Sequence, residues 1–275
     1  MAAGGLMVQH KKNIRLAALL AGIFTVAALP AALAAESGAA APVRLDPAIT
    51  GNTWASIAKL PDWSGIWELD WMHNRSLMHA VPPKLTPAAQ VKFDAYRKGQ
   101  AEGKNLQGES ANCFPVGMPQ IMTQPYPVEF LFTPGKVTMI IEAYHEWRHV
   151  FTDGRKHSDD PDLQFQGESV GHWEGKGKDQ TLVIDTIGLA PSNQISAGIG
   201  HSDKVRIGER IRRLDDKYLE ITTTITDPEV LQEPWTQVRS YRRDDGELRE
   251  YECEQNNRDS ADEDGRAGLR VEEKK

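Results

Sequence analysis

From Val128 onward, apolar and polar residues alternate in short runs, each closed by glycine, proline or aspartate. A period of two marks half-buried strands, and the punctuation marks tight turns. The runs are 128–132, 136–142, 145–152, 169–175, 180–187, 203–213, 217–226, 235–243 and 247–254. Between them lie Pro134-Gly135, Asp153-Gly154, Gly175-Lys176-Gly177, Asp215-Asp216 and Asp244-Asp245-Gly246. An earlier run, 62–71, places Trp63, Gly65, Trp67, Leu69 and Trp71 on one side. Its indoles either fill one end of a core or wall a pocket for a flat apolar ligand. About ten strands joined mostly by short hairpins predict an antiparallel up-and-down meander, and closure into a β-barrel of about eight to ten strands removes its edges. The expected fold class is mainly β.

One helix stands apart from this pattern, over 86–102. Thr86 supplies a cap, Pro87 suits the first helical position, and 88–101 is rich in helix formers. The following segment, 113–127, carries prolines that exclude it from a central strand, so it reads as an extended strap over the fold.

The ends of the chain change the picture of where the protein works. His10, Lys11, Lys12 and Arg15 precede an apolar stretch, Leu16 to Leu29, that is short for a membrane span. Pro30 and Ala32-Leu33-Ala34 complete a signal peptide over 1–34 with a small-x-small cleavage site. Residues 35–60 read as a flexible arm, 61–255 as one barrel domain, and 256–275 as a disordered charged tail. Cleavage removes three cations and no acid, moving the formal charge from -7 to -10. An acidic surface argues against nucleic acid as a partner, and no second long apolar run ties the mature chain to a membrane. Cys113 and Cys253 are the only cysteines; in an exported chain a disulfide between them is expected, with two free thiols as the alternative.

Candidate chemistry follows from charges that fall among apolar positions. Glu209 shares a strand face with Val205, Ile207 and Ile211, while Lys204, Arg206, Arg210 and Arg212 hold the other. A lone carboxylate there is costly. Glu209 therefore either joins a salt bridge inside the barrel or titrates as a tuned acid or base. Asp185, beside Val183 and Ile187, poses the same question, with Arg148 and Arg155 as candidate partners. His172 and Glu174 share a face, as acid and base or as a surface ion pair. His201 sits in a Gly-rich loop that suits a barrel mouth. His145 and His149 are four apart, about 13 Å on a strand, so no metal site is assigned. Neither a P-loop nor a G-x-G-x-x-G after a strand is present; Gly167-x-Ser169-x-Gly171 spells G-x-S-x-G but runs on as hairpin strand rather than into a helix, so it is no nucleophile elbow, and no cofactor is expected.

One ordered set of residues goes further. The set Glu142…Arg148…Asp153-Gly154-Arg155-Lys156-His157, Gly167-x-Ser169-x-Gly171-x-Trp173-Glu174-Gly175, Leu182-Val183-Ile184-Asp185-Thr186, His201-Ser202-Asp203, Glu209-Arg210, Asp227-Pro228 and Pro234-Trp235 resembles a largely uncharacterised family of exported bacterial proteins. The resemblance covers roughly residues 60–255 and implies a lipocalin-like (calycin-like) barrel with a small-molecule cavity. Lys176 to Gln180 lengthen a turn where the family pattern has Asp-Thr directly after the W-E-G.

The functional expectation is a periplasmic, cofactor-independent lyase or isomerase using acid–base chemistry on a hydrophobic aromatic compound, such as a lignin-derived phenolic. Glu209, Asp185, His172 and His201 are the candidates to move protons. Arg148 and Arg155 would hold an anionic or phenolic oxygen, and Trp67, Trp173 and Tyr144 would contact the ring. The alternative is a non-catalytic, lipocalin-like carrier of an apolar ligand.

Overall fold

The computed structural model describes residues 45–74, 81–103, 113–253, 260–261 and 267–268, all within the unit that begins at Val43. The signal segment, the start of the arm and most of the tail lie outside the described residues. Three helices precede or interrupt the early strands: α1 (Trp54–Ile57), α2 (Trp71–Asn74) and the long α3 (Pro87–Ala101). Nine strands follow the predicted alternation. They are β1 (Ile66–Leu69), β2 (Val128–Thr133), β3 (Lys136–Ile141), β4 (Glu146–Phe151), β5 (Glu168–Glu174), β6 (Thr181–Ile187), β7 (Arg206–Arg213), β8 (Tyr218–Thr226) and β9 (Trp235–Asp244).

These strands close into one barrel in sequence order, β9 pairing back onto β1. Every junction is antiparallel except β4–β5, which is parallel. Parity requires it. Nine strands alternating up and down would bring β1 and β9 together pointing the same way, and one parallel step restores antiparallel closure. A parallel step needs a crossover longer than a hairpin, and the segment 152–167 supplies it. The pure meander expected from the sequence is thus broken once. The last expected strand, 247–254, stays out of the barrel: Arg249 and Tyr251 donate backbone N–H to Glu142 Oε2 (2.6 Å) and His145 Nε2 (2.7 Å). Cys253 then forms the disulfide with Cys113, Cα atoms 5.6 Å apart.

Other segments are more tightly held than expected. The described part of the arm is anchored: a capping box at Thr53 starts α1, and Gly135 donates its N–H to the Gly51 carbonyl at 2.9 Å. The strap does not lie over the fold but turns inward as a 3-10 helix, Gln120–Thr123, burying Met118, Ile121 and Met122. Ser260–Ala261 pairs with Ala267–Gly268 within the stretch expected to be disordered. Helix α3 starts as predicted, with Thr86 Oγ1 accepting from Ala89 N.

The two barrel ends differ. Where β2 and β5 finish, Trp63, Phe130, Phe132 and Trp173 form an edge-to-face cluster with ring centroids 5.3–5.5 Å apart. Trp67 is wholly buried beside it, donating Nε1–H to the Trp63 carbonyl at 3.0 Å. Burying several large rings in this way is among the strongest apolar contributions a small core has. Trp71 leaves the row expected of it, because β1 ends at Leu69 and α2 begins. Where β8 ends and β9 begins, the barrel is covered instead by α3, the 3-10 helix and the loop 193–200.

Candidate functional site

Inside the barrel, β4 and β7 face each other across the lumen. Arg148 Nη2 meets Glu209 Oε2 at 2.5 Å, and both side chains are 0% exposed. The guanidinium also donates to Thr186 Oγ1 (2.8 Å) and, through Nε, to Ser169 Oγ (3.1 Å), while the two hydroxyls lie 2.8 Å apart. Of the two fates open to Glu209, it has the salt bridge. Its Oε1 has no hydrogen-bond partner among the described residues. The motif residues Ser169, Thr186 and Glu209 therefore converge on one arginine. Gly171 belongs to the same design, since a Cβ there would meet Val150 Cγ1 and the Val183 carbonyl at 2.9 Å.

The remaining expected site residues are spread over the outside and the ends. Asp185 points outward, opposite to Leu182 and Ile184. It pairs with Arg206 and accepts from His157 Nε2 at 3.0 Å, while His157 Nδ1 reaches Glu168 Oε1 at 2.7 Å. Burial works to raise the Asp185 carboxyl, but hydrogen bonds and charge from Arg206 and His157 outweigh it and hold it below the ordinary range. Neither Arg148 nor Arg155 is its partner. Arg155 closes its own turn on Asp153 and lies 3.8 Å from the Phe151 ring centre. His172 and Glu174 are an exposed pair, joined by Arg210. Both His201 nitrogens face backbone carbonyls, Ser202 at 2.7 Å and Ala190 at 2.9 Å. Ser202 bonds the buried Asp227, so the H-S-D and D-P motifs are two halves of one loop clamp. Tyr144, at φ 58°, packs on Tyr251. Among the described residues, no three His, Cys, Asp or Glu side chains converge as a metal would require.

The site the structure assembles lies at the mouth where β9 begins. An interior cavity of about 100 Å³ sits between β8, β9 and the 3-10 helix, and a cleft of about 540 Å³ adjoins it. The two share Ser196, Trp235, Gln237 and Arg239. Trp235, Gln237, Arg239 and Tyr241 alternate along β9, so all four side chains look inward. From the other wall, α3 contributes Gln90, Phe93 and Arg97, residues three and four apart on one helix face. Helix α3 is held close by Gly198 (φ +77°), where an added Cβ would collide with the Tyr96 ring.

Electrostatically the mouth is unusual. Arg239 is half-buried; its Nη2 donates to Gln237 Oε1 at 2.7 Å, and among the described residues no carboxylate pairs with it. Burial pushes its guanidinium below the ordinary arginine range, and only the nearby Tyr241 phenol opposes this. Tyr241 itself is wholly buried, and burial raises its phenol far above the usual value, with the Glu209 charge acting the same way. Its hydroxyl donates to the Met122 carbonyl and so ties the 3-10 helix to the cavity floor. Arg97 has the Phe93 ring beside it, 5.9 Å from its guanidinium carbon, and no carboxylate pairs with it among the described residues. Two cations that no acid among the described residues neutralises, set in walls of Pro82, Leu85, Phe93 and Ile199, suit an apolar molecule with an anionic end. Sequence reading missed both arginines. The signal was present: Arg239 lies in register with Trp235 and Tyr241, the same test that marked Glu209. No protein-family model matches the chain, and no curated protein matches it.

Proposed function

We propose that this protein is an exported, lipocalin-like barrel that binds a small apolar or aromatic anion at the mouth formed by α3, β8 and β9. The observation that carries the reading is Arg239, a half-buried guanidinium opening onto the cleft with no carboxylate among the described residues to neutralise it. A carboxylate or phenolate is what such a fork binds best, in two parallel hydrogen bonds. The aromatic and proline walls then take the apolar body. The periplasm is the compartment proposed. The Cys113–Cys253 bond suits an oxidising space, and no helix among the described residues is long and apolar enough to cross a membrane.

Turnover is the second reading: a cofactor-independent lyase or isomerase acting on the same class of compound. The free Oε1 of Glu209, a buried carboxylate oxygen without a partner, favours it. Glu209 lines neither the interior cavity nor the cleft, so binding stands first. The test is calorimetric titration with phenylpropanoate, simple phenolic acids and the neutral amides of each, followed by mass spectrometry of the same samples. Acids are expected to bind and amides not, and Arg239→Met should weaken the acids by about tenfold to a hundredfold, the range for a lost charge-assisted hydrogen bond. Equal affinity for acid and amide sinks the binding reading; a new product mass establishes turnover.

A further inference from the structure

A second concavity lies on the opposite chemistry. Because β4 and β5 pair only at Val150–Ser169 and Phe151–Val170, their strands splay beyond these positions, and the crossover 152–167 arches over the gap. The result is a groove of about 750 Å³. Trp147, His149 and Phe151 alternate along the outer face of β4 and line it as an aromatic ladder, with ring centroids 4.6 and 6.2 Å apart. Trp147 is 59% exposed although it belongs to a barrel strand. None of the lining residues is lysine or arginine, while four are acids: Glu146, Asp160, Asp162 and Glu168.

The state of those acids separates this groove from an ordinary solvated face. Glu168 is engaged by His157. Asp160 and Asp162 carboxylates have no partner among the described residues. Glu146 is half-buried, and among the described residues no cation pairs with it; Gln166 Nε2 donates to it at 3.0 Å, and burial raises its carboxyl above the ordinary range. Gln166 is only 7% exposed, lines the groove, and leaves its Oε1 buried without a donor. A buried acceptor in that state is costly until a donor arrives. The histidines do not supply the missing charge. His145 Nε2 accepts from Tyr251 N–H, and burial together with Lys136 pushes His149 below the usual imidazole range.

We infer that the groove between β4 and the 152–167 crossover binds a primary ammonium carried on an apolar or aromatic body. The ammonium has three N–H donors and no acceptor, matching Gln166 Oε1 and Glu146. Its charge meets Asp160 and Asp162, and its body and cation lie against Trp147. A neutral sugar would satisfy hydroxyls here but leave the acids unneutralised, and an anion is repelled. This site is independent of the mouth, which attracts the opposite charge.

The test is titration of the whole mature protein with phenethylamine, phenethyl alcohol, hydrocinnamate and cellobiose, read by calorimetry and tryptophan fluorescence. Phenethylamine is expected to bind and the isosteric alcohol not to. The exposed replacements Asp160→Asn with Asp162→Asn, and separately Trp147→Ala, should each weaken the amine about tenfold, the double replacement also removing most of its salt dependence. Circular dichroism confirms that each variant folds, and Arg239→Met should leave amine affinity unchanged. Alcohol binding as tight as amine, affinity indifferent to the Asp160/Asp162 pair, cellobiose binding without amine binding, or no amine binding at millimolar concentration would each overturn the inference.

Discussion

Replacing Glu209 by glutamine keeps the shape of the side chain and removes its charge. Arg148 then retains Thr186 and Ser169 as hydrogen-bond acceptors but has no anion in a lumen where it is 0% exposed. Breaking a buried pair by removing one partner costs about 3–5 kcal/mol. Against a total stability of roughly 5–15 kcal/mol, that is a large fraction. With a urea slope of about 2 kcal/mol/M, the midpoint should fall by about 2 M. The informative comparison is the double variant Arg148→Met, Glu209→Leu. It removes both charges together with the unpartnered Oε1, and leaves the Ser169 and Thr186 hydroxyls bonded to each other. That variant should return to within about 1 kcal/mol of the parent or exceed it. Urea unfolding of the parent, Arg148→Met, Glu209→Leu and the double variant gives the coupling directly. An unshifted midpoint for Glu209→Gln, or a double variant as unstable as the sum of the singles, refutes the account of the lumen as a mutually dependent pair.

Asp185 is held below its unfolded pKa of about 3.9, so its stabilisation is present above that value and disappears as pH falls through the lower, folded value. Asp185→Asn should cost about 1 kcal/mol at neutral pH, a figure kept small because the group is partly solvated, and in acid unfolding curves parent and variant should begin to approach each other below about pH 4 and meet only below the lower, folded pKa. A constant difference at every pH contradicts this. Gly198→Ala forces a Cβ against Tyr96 at a left-handed backbone position, and should lower stability by about 1–3 kcal/mol while loosening the mouth toward phenylpropanoate; unchanged melting and affinity would show that α3 is not anchored there. Reducing the bond between Cys113 and Cys253, which are 140 residues apart, releases up to about 5 kcal/mol of loop-closure entropy. Thermal unfolding with and without reductant measures it, and an unmoved Tm argues against the role assigned to the bond.

Period-two reading placed Glu209 inside the barrel because only one face of β7 is apolar: Ile207 and Ile211 on one side, arginines on the other. The same reading misplaced Asp185. Strand β6 carries aliphatic residues on both faces, Leu182 and Ile184 inward, Val183 and Ile187 outward, so nothing local says which face is the core. Closure was legible from turn spacing, whereas the parallel step was not. It depends on which edges meet, a property of strand parity rather than of any run of residues. The mouth was hidden for a related reason. Phe93 and Arg97 come from a helix more than 130 residues before Trp235 and Arg239, and only the packing of α3 beside the barrel brings them together.

Two barrel junctions are held by just two register positions each, β1–β2 at Ile66 and Trp67, and β4–β5 at Val150 and Phe151. Between these lines lies a three-stranded panel, β2–β4, framed by weakly bonded edges, while β5–β9 form a continuous meander extended by β1. Arg148 stands on the panel and Glu209 on the meander. The ion pair therefore acts as a clasp between two cooperative units, doing across the lumen what the backbone leaves undone along the seams. Native-state hydrogen exchange should resolve two tiers of protection, with panel amides opening at lower free energy than the meander's. In that sense the odd number of strands sets where the barrel yields first.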